Sequence, residues 1–295
     1  MPRHHPSVRA VPEGLNTRSS RRALHAVAVV LTALLPVAAR AQTFSASGAT
    51  AAAINPTVEA FRAALGPLNL NVAGSFGSGR REINWDGVPD ASSAPSNLPA
   101  NFFNATSPRG VVFSTPGTGF QVSANAASGT PVEFGNINAT YPGLFAAFSA
   151  QRLFTSLGSN ITDVDFFVPG SLTPAGTTAF GAIFTDVDVA NTTSITFFDM
   201  LGNSLGKFFA LSFAGNETFS FLGVNFGPGV QIGSVRIAAG NSVLASSISF
   251  DDVVAMDDFI YAEPMVAQVV PEPATVLLLA AGLAVMGIVR RRRIG

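Results

Sequence analysis

Apolar and polar positions follow two periods along this chain. A helical period comes first. Asn55-Pro56 reads as an N-cap with proline at the first helical position, Val58, Phe61 and Leu65 fall on one face, and Gly66-Pro67 stops the run. From about Glu82 the period changes to that of strands. Short apolar or β-branched runs recur between clusters of Gly, Pro, Asn and Ser, at 110–114, 119–123, 164–168, 180–189, 194–199, 205–211, 218–226, 231–238 and 256–261. Gly202-Asn203 lies between two of them and predicts a hairpin of 194–199 and 205–211. Many short strands with regular turn signals predict an all-β fold, an antiparallel β-sandwich of jelly-roll type, with one short helix packed at its edge.

Two longer apolar runs, 23–38 and 274–289, break this pattern near the ends. They divide the chain into 1–41, a segment 42–81 with the short helix, a β-sandwich over 82–264, and 265–295. The first run follows Arg18, Arg21 and Arg22 and leads to Ala39-Arg40-Ala41, with small residues at both positions that a signal peptidase reads. A signal peptide cleaved after Ala41 is expected; an uncleaved anchor is the other reading. Ser20-Arg21-Arg22 is similar to a twin-arginine signal, but the residues after it are too generic to choose between the two export routes. The second run is a transmembrane helix candidate. Its 16 residues would reach ~24 Å against a hydrocarbon core of ~30 Å, short enough to need snorkelling flanks or a thinned bilayer. Arg290, Arg291, Arg292 and Arg293 follow it and orient it, because positive charge stays on the cytoplasmic side.

Pro271-Glu272-Pro273, the apolar run and the arginine cluster together resemble the PEP-CTERM sorting signal of Gram-negative bacteria. The resemblance implies that Pro271, Glu272 and Pro273 are the recognition motif of an exosortase. It also implies passage through the inner membrane and delivery to the cell surface or extracellular matrix, often among exopolysaccharides. A plain tail anchor that no enzyme cuts is the alternative. The middle of the chain also resembles an uncharacterised group of secreted proteins with this signal. The resemblance is carried by Ile83-Asn84-Trp85-Asp86-Gly87, Ser107-Pro108-Arg109-Gly110, Phe197-Phe198-Asp199, Phe221-Leu222-Gly223-Val224 and Asp257-Asp258-Phe259. It implies a defined fold and brings no activity.

Charge and composition narrow the chemistry. Residues 42–270 hold seven Arg or Lys and sixteen Asp or Glu, a net charge of −9 that the basic ends conceal in the whole-chain value of −1. Such a surface lacks the basic footprint that nucleic acid requires. The chain has no cysteine, and His4, His5 and His25 all precede residue 42. Disulfides, Ser-His-Asp catalysis and histidine-based zinc sites are thereby excluded from 42–270. An enzyme built from these residues would need paired carboxylates, as glycosidases do. No enzymatic activity is expected; an adhesive or structural role is, with glycan binding as a specific form and a carboxylate-based polysaccharide hydrolase as the runner-up. Glycan stacking favours Trp and Tyr, of which 42–270 has only Trp85, Tyr141 and Tyr261.

Three aspartate pairs are candidate calcium ligands. Thr162-Asp163-Val164-Asp165 recurs as Thr185-Asp186-Val187-Asp188. In an extended strand both aspartates of each pair share one face, where two carboxylates can begin an oxygen shell for calcium. Val164, Phe166, Val168, Val187 and Val189 would then face the core. A solvated acidic face is the plainer reading. The third pair, Asp257-Asp258, lies in the closing strand, where strict alternation buries one of the two whichever face is inside. It fits either a calcium ligand or a hydrogen-bond clamp to the opening strand, for which Glu82-Ile83-Asn84-Trp85-Asp86-Gly87 is the candidate.

Overall fold

The structure is a computed structural model that describes residues 41–245, 247, 252–266 and 282–283. The fold is mostly β with antiparallel sheets. Strands β1 (Gln42–Gly48), β2 (Arg80–Ile83), β3 (Val111–Ser114), β4 (Gly119–Val122), β5 (Phe154–Leu157) and β6 (Ile161–Phe166) precede β7 (Ala179–Thr185) and β8 (Ser194–Asp199). The order ends with β9 (Ser204–Phe209), β10 (Phe219–Asn225), β11 (Ile232–Ala238) and β12 (Ala255–Ala262), and helix α1 (Ala51–Leu65) lies between β1 and β2. A seven-stranded sheet runs β1-β10-β7-β12-β5-β4, with β2 also pairing β12; a five-stranded sheet runs β3-β6-β11-β8-β9.

Side-chain alternation explains why two sheets and a helix suffice. Phe180, Ala182, Phe184, Leu222, Val224 and Phe259 of the larger sheet face Val111, Phe113, Val164, Ile195, Phe197 and Val235 of the smaller one across a shared core. Phe113 meets Phe154 at 5.1 Å and Phe166 meets Phe180 at 6.1 Å between ring centroids, so phenylalanines from both layers interdigitate. The other face of the larger sheet carries Ile183, Phe219, Phe221 and Ile260, and α1 covers it with Ile54, Val58, Phe61 and Leu65. Phe61 sits over Gly181 and Gly223, which pair across β7 and β10. A Cβ at either glycine would lie within about 3 Å of the Phe61 ring, so the bare backbone is what lets the helix approach.

Several expectations are corrected here. The helix starts at Ala51, not after Asn55, and Pro56 lies inside it. Residues Ala51 to Ala53 are strong helix formers, and the buried stripe from Ile54 to Leu65 outweighs the missing proline N–H. The segment 42–81, expected to precede the sandwich, contributes β1, α1 and β2 to the larger sheet and its outer face. The strand expected over 180–189 stops at Thr185, because Asp186 takes φ 68° and turns the chain. Val187 is buried as expected, but Val189 is 46% exposed. Val168 is only partly buried, two residues past the end of β6. The hairpin is found as β8 and β9, with Gly202 at φ 81° in its turn, and the opening strand is found as β2 beside β12.

Among the described residues no helix is long and apolar enough to cross a membrane. The apolar run 274–289 lies outside the described residues except for the helical Gly282 and Leu283. Ala39, Pro271, Glu272, Pro273 and Arg290 to Arg293 also lie outside them; Ala41 is described and packs against the core just before β1.

Candidate functional site

Acidic residues converge where β12, β2 and α1 meet. Strict alternation would send Asp257 and Asp258 to opposite faces of β12. The register between β12 and β7 instead shifts between Met256 and Phe259, so both Met256 and Phe259 enter the inter-sheet core and the aspartates occupy the irregularity between them. Both carboxylates are buried, and both reach Ser149. Asp257 Oδ2 accepts from the Phe148 N–H at 2.6 Å and the Ser149 N–H at 3.3 Å. Asp258 Oδ1 accepts from the Ser149 hydroxyl at 2.8 Å, and its Oδ2 from Arg62 Nη2 at 3.0 Å. Arg62 arrives from the last turn of α1 and also donates to both oxygens of Glu82 on β2, at 3.0 and 2.8 Å. Arg80 Nε donates to Glu82 Oε1 at 2.6 Å. Trp85 closes the arrangement by donating its indole N–H to the Asp257 carbonyl at 2.9 Å.

Burial, together with the charge of Asp258, holds the Asp257 carboxyl well above the usual carboxylate range; burial also raises Asp258, opposed by the Ser149 hydroxyl and the Arg62 charge. These groups border a cleft of ≈ 370 Å³ lined by Arg62, Glu82, Asn84, Arg109, Ser149 and Asp258 among others. Chemically the arrangement is a clamp. It ties the helix, the opening strand and the 148–149 turn to the closing strand, and it leaves few free carboxylate lone pairs. Of the two readings of the Asp-Asp pair, the geometry matches the hydrogen-bond clamp.

The other aspartate pairs lie elsewhere. Asp163 and Asp165 are both only partly buried on β6, as the strand pattern predicts, and the Asp163 carboxylate is gripped at 2.7 and 2.9 Å by Arg236 of β11. Asp186 and Asp188 do not share a strand face: Asp186 is buried and Asp188 exposed. Among the described residues Asp186 Oδ1 has no hydrogen-bond partner, and burial with the charges of Asp188 and Asp252 pushes its carboxyl up to about 7. Asp188 accepts from the Gly215 N–H at 2.8 Å. No group of three or more Asp, Glu, His or Cys that could hold a metal ion occurs among the described residues.

Trp85, Tyr141 and Tyr261 are buried, so none offers an open stacking face. The arginines of this region were not singled out by sequence reasoning. Their signal was rarity: in a segment so poor in basic residues an arginine faces a surplus of carboxylates, and Arg62 draws Glu59, Glu82 and Asp258 into one network.

The fold and this clamp define a mostly β domain, stitched by internal ion pairs, in a chain without cysteine. Residues 269–293 match the PEP-CTERM protein-sorting motif, so the chain is a protein bearing that motif. The motif implies export, membrane-anchored sorting and processing by an exosortase. No curated protein matches the chain. Among solved structures, the enzymatically active domain of bacteriophage CBA120 tailspike protein 4 is similar over 59% of this chain and 22% of its own, at 17% identity and a TM-score of 0.27. A likeness of that size carries no argument about fold or activity.

Proposed function

We propose that the chain is a non-enzymatic module of the cell surface or extracellular matrix, adhesive or structural, with glycan binding as its specific form. One observation carries the reading: Glu82, Asp257 and Asp258, gathered at the cleft between β12, β2 and α1, are bound up with Arg62, Arg80, Ser149 and a backbone N–H rather than left free for acid–base work. Strand order supports the jelly-roll form of the fold. From β5 onward the chain builds two layers, β5-β12-β7-β10 and β6-β11-β8-β9, the arrangement of an eight-stranded jelly roll. Sorting supports the location, since an exosortase substrate matures outside the cytoplasm. The test is a polysaccharide panel that includes the native host's own polymer. Saturable binding without turnover is expected, and turnover abolished by one acidic substitution would overturn the reading. Intact mass of the native protein should show cleavage after Ala41 with or without the host's exosortase, and cleavage near Pro271-Glu272-Pro273 only when that exosortase is present.

The runner-up, a carboxylate-based hydrolase, has one specific observation in its favour. Burial and the neighbouring Glu217 push the Glu133 carboxyl up to about 7, the range of a general acid at neutral pH. Loss of panel activity in Glu133→Gln would favour that reading.

A further inference from the structure

Beside the clamp, the 84–87 turn after β2 and the 107–110 segment before β3 meet at a pocket of ≈ 250 Å³. Its floor holds Trp85 and Phe103, packed edge to face at 5.4 Å. Asn84, Thr106, Ser107 and Arg109 stand in its walls, and no carboxylate lines it. Both bordering turns are irregular. Trp85 takes φ 64°, sparsely populated by large side chains, and the turn over Phe102–Thr106 is wound wide, with the Ser107 N–H donating to the Phe102 carbonyl at 2.9 Å. Such features persist where surrounding packing holds them, and they cluster at ligand sites.

Arg109 is the group that asks for a ligand. Its backbone is pinned twice: its N–H donates to the Phe103 carbonyl at 2.8 Å, and the Tyr261 hydroxyl donates to its carbonyl at 2.9 Å. Its guanidinium lies over the Phe103 ring at 5.0 Å. Among the described residues its buried Nε has no hydrogen-bond partner. Burial and the nearby Arg81 charge push the guanidinium down from its ordinary value, against an opposing pull from Tyr261. A buried donor on a permanent cation is costly to leave unpaired, and the planar fork of arginine matches a carboxylate with two parallel hydrogen bonds. The side chains of Thr106, Ser107 and Asn84 beside Arg109 suit a ligand that carries hydroxyls next to its carboxylate, as a sugar acid does. The volume falls below the ~300–1,000 Å³ of drug-sized sites and suits a single ring.

We propose that this pocket binds one carboxylate-bearing sugar unit, a uronate within an acidic polysaccharide, with Arg109 pairing to its carboxylate. The proposal rests on the glycan-binding form of the function above. It is tested by titration calorimetry of the full-length protein in detergent, with trigalacturonate, its methyl ester, maltotriose and inorganic phosphate as probes. Trigalacturonate should bind saturably, and the methyl ester and maltotriose about tenfold more weakly or worse, since a charge-assisted fork is lost. Arg109→Gln should bring trigalacturonate down to the level of the ester, and Arg109→Lys should fall between, as a point charge lacks the fork. Thermal melting controls for folding: Arg109→Gln is expected to leave Tm unchanged or raise it. Equal binding of trigalacturonate by wild type and Arg109→Gln overturns the site but leaves the glycan reading standing. Equal binding of acid and ester overturns the uronate assignment, as does phosphate competing as strongly as the sugar. If no glycan binds, acidic or neutral, the site and the glycan-binding reading fall together.

Discussion

Arg81 and Arg109 lie close together, yet they have opposite surroundings. Arg81, on β2, is fully buried and donates to Glu263 at 2.8 and 2.9 Å and to the carbonyls of Val72, Gly74 and Pro108. Arg109, one residue beyond that same Pro108, has among the described residues no partner for its Nε, and no carboxylate lines the pocket it shares with Trp85. The first charge is satisfied by the protein itself and stitches the 66–79 loop to the sheet. The second is held in place by its backbone and left for something else to satisfy. The contrast separates scaffold from site more sharply than burial alone, because the cost of a buried charge depends on its partners.

The comparison can be broken most severely at Arg81. Arg81→Ala removes the counter-charge of the buried Glu263 carboxylate, leaving it only the Asn69 amide and the Phe76 N–H, and should cost about 3–5 kcal/mol in denaturant melts. A loss no larger than that of Arg109→Gln would erase the distinction. Next comes the clamp. Asp257→Ala leaves the Phe148 and Ser149 N–H groups without their acceptor and should cost about 1–3 kcal/mol by the same measurement.

Asp186 sharpens the comparison from the acidic side, being a buried carboxylate whose Oδ1 lacks a partner among the described residues. Its folded-state carboxyl is raised to about 7 from an ordinary value of 3.8. The folded protein therefore favours the protonated form, and its contribution to stability, complete below the unfolded value, is lost as pH rises through about 7. Asp186→Asn mimics the protonated state. It should raise Tm by about 2–4 °C at pH 8 and change little at pH 3, where aspartate is protonated folded or unfolded. A variant that lowers Tm at pH 8 would contradict the strain assigned to this carboxylate. The smallest effect is expected at Arg236, which is half exposed as it grips Asp163. Arg236→Ala should cost less than about 1 kcal/mol, with a still smaller difference in high salt.

How much of this was legible differs from element to element. β8 spans the predicted 194–199, and the 205–211 run appears as β9, since a strong period-two run with a glycine turn needs no distant partner to be recognised. β5, only Phe154-Thr155-Ser156-Leu157, was not predicted, because its strand character comes from β4 and β12 on either side. β1 was missed for the same reason: Gln42-Thr43-Phe44-Ser45-Ala46-Ser47-Gly48 is polar and small, and only pairing with β10 makes it a strand. The sorting motif was readable outright, as a linear signal whose order of parts is its meaning.

By itself the sequence determined the mostly β character, the positions of most strands, the absence of histidine and cysteine chemistry from 42–270, and the sorting tail. These are local properties, set by side-chain period, turn residues and composition. Only the tertiary structure decided that Asp257 and Asp258 clamp one turn together, that Asp163 pairs with Arg236, and that Arg109 stands beside Trp85 with a donor unmatched. Those outcomes join residues far apart in the chain through a register shift and the meeting of two turns. Pairing of that kind depends on which groups are brought within hydrogen-bond reach away from water, and no linear pattern encodes it.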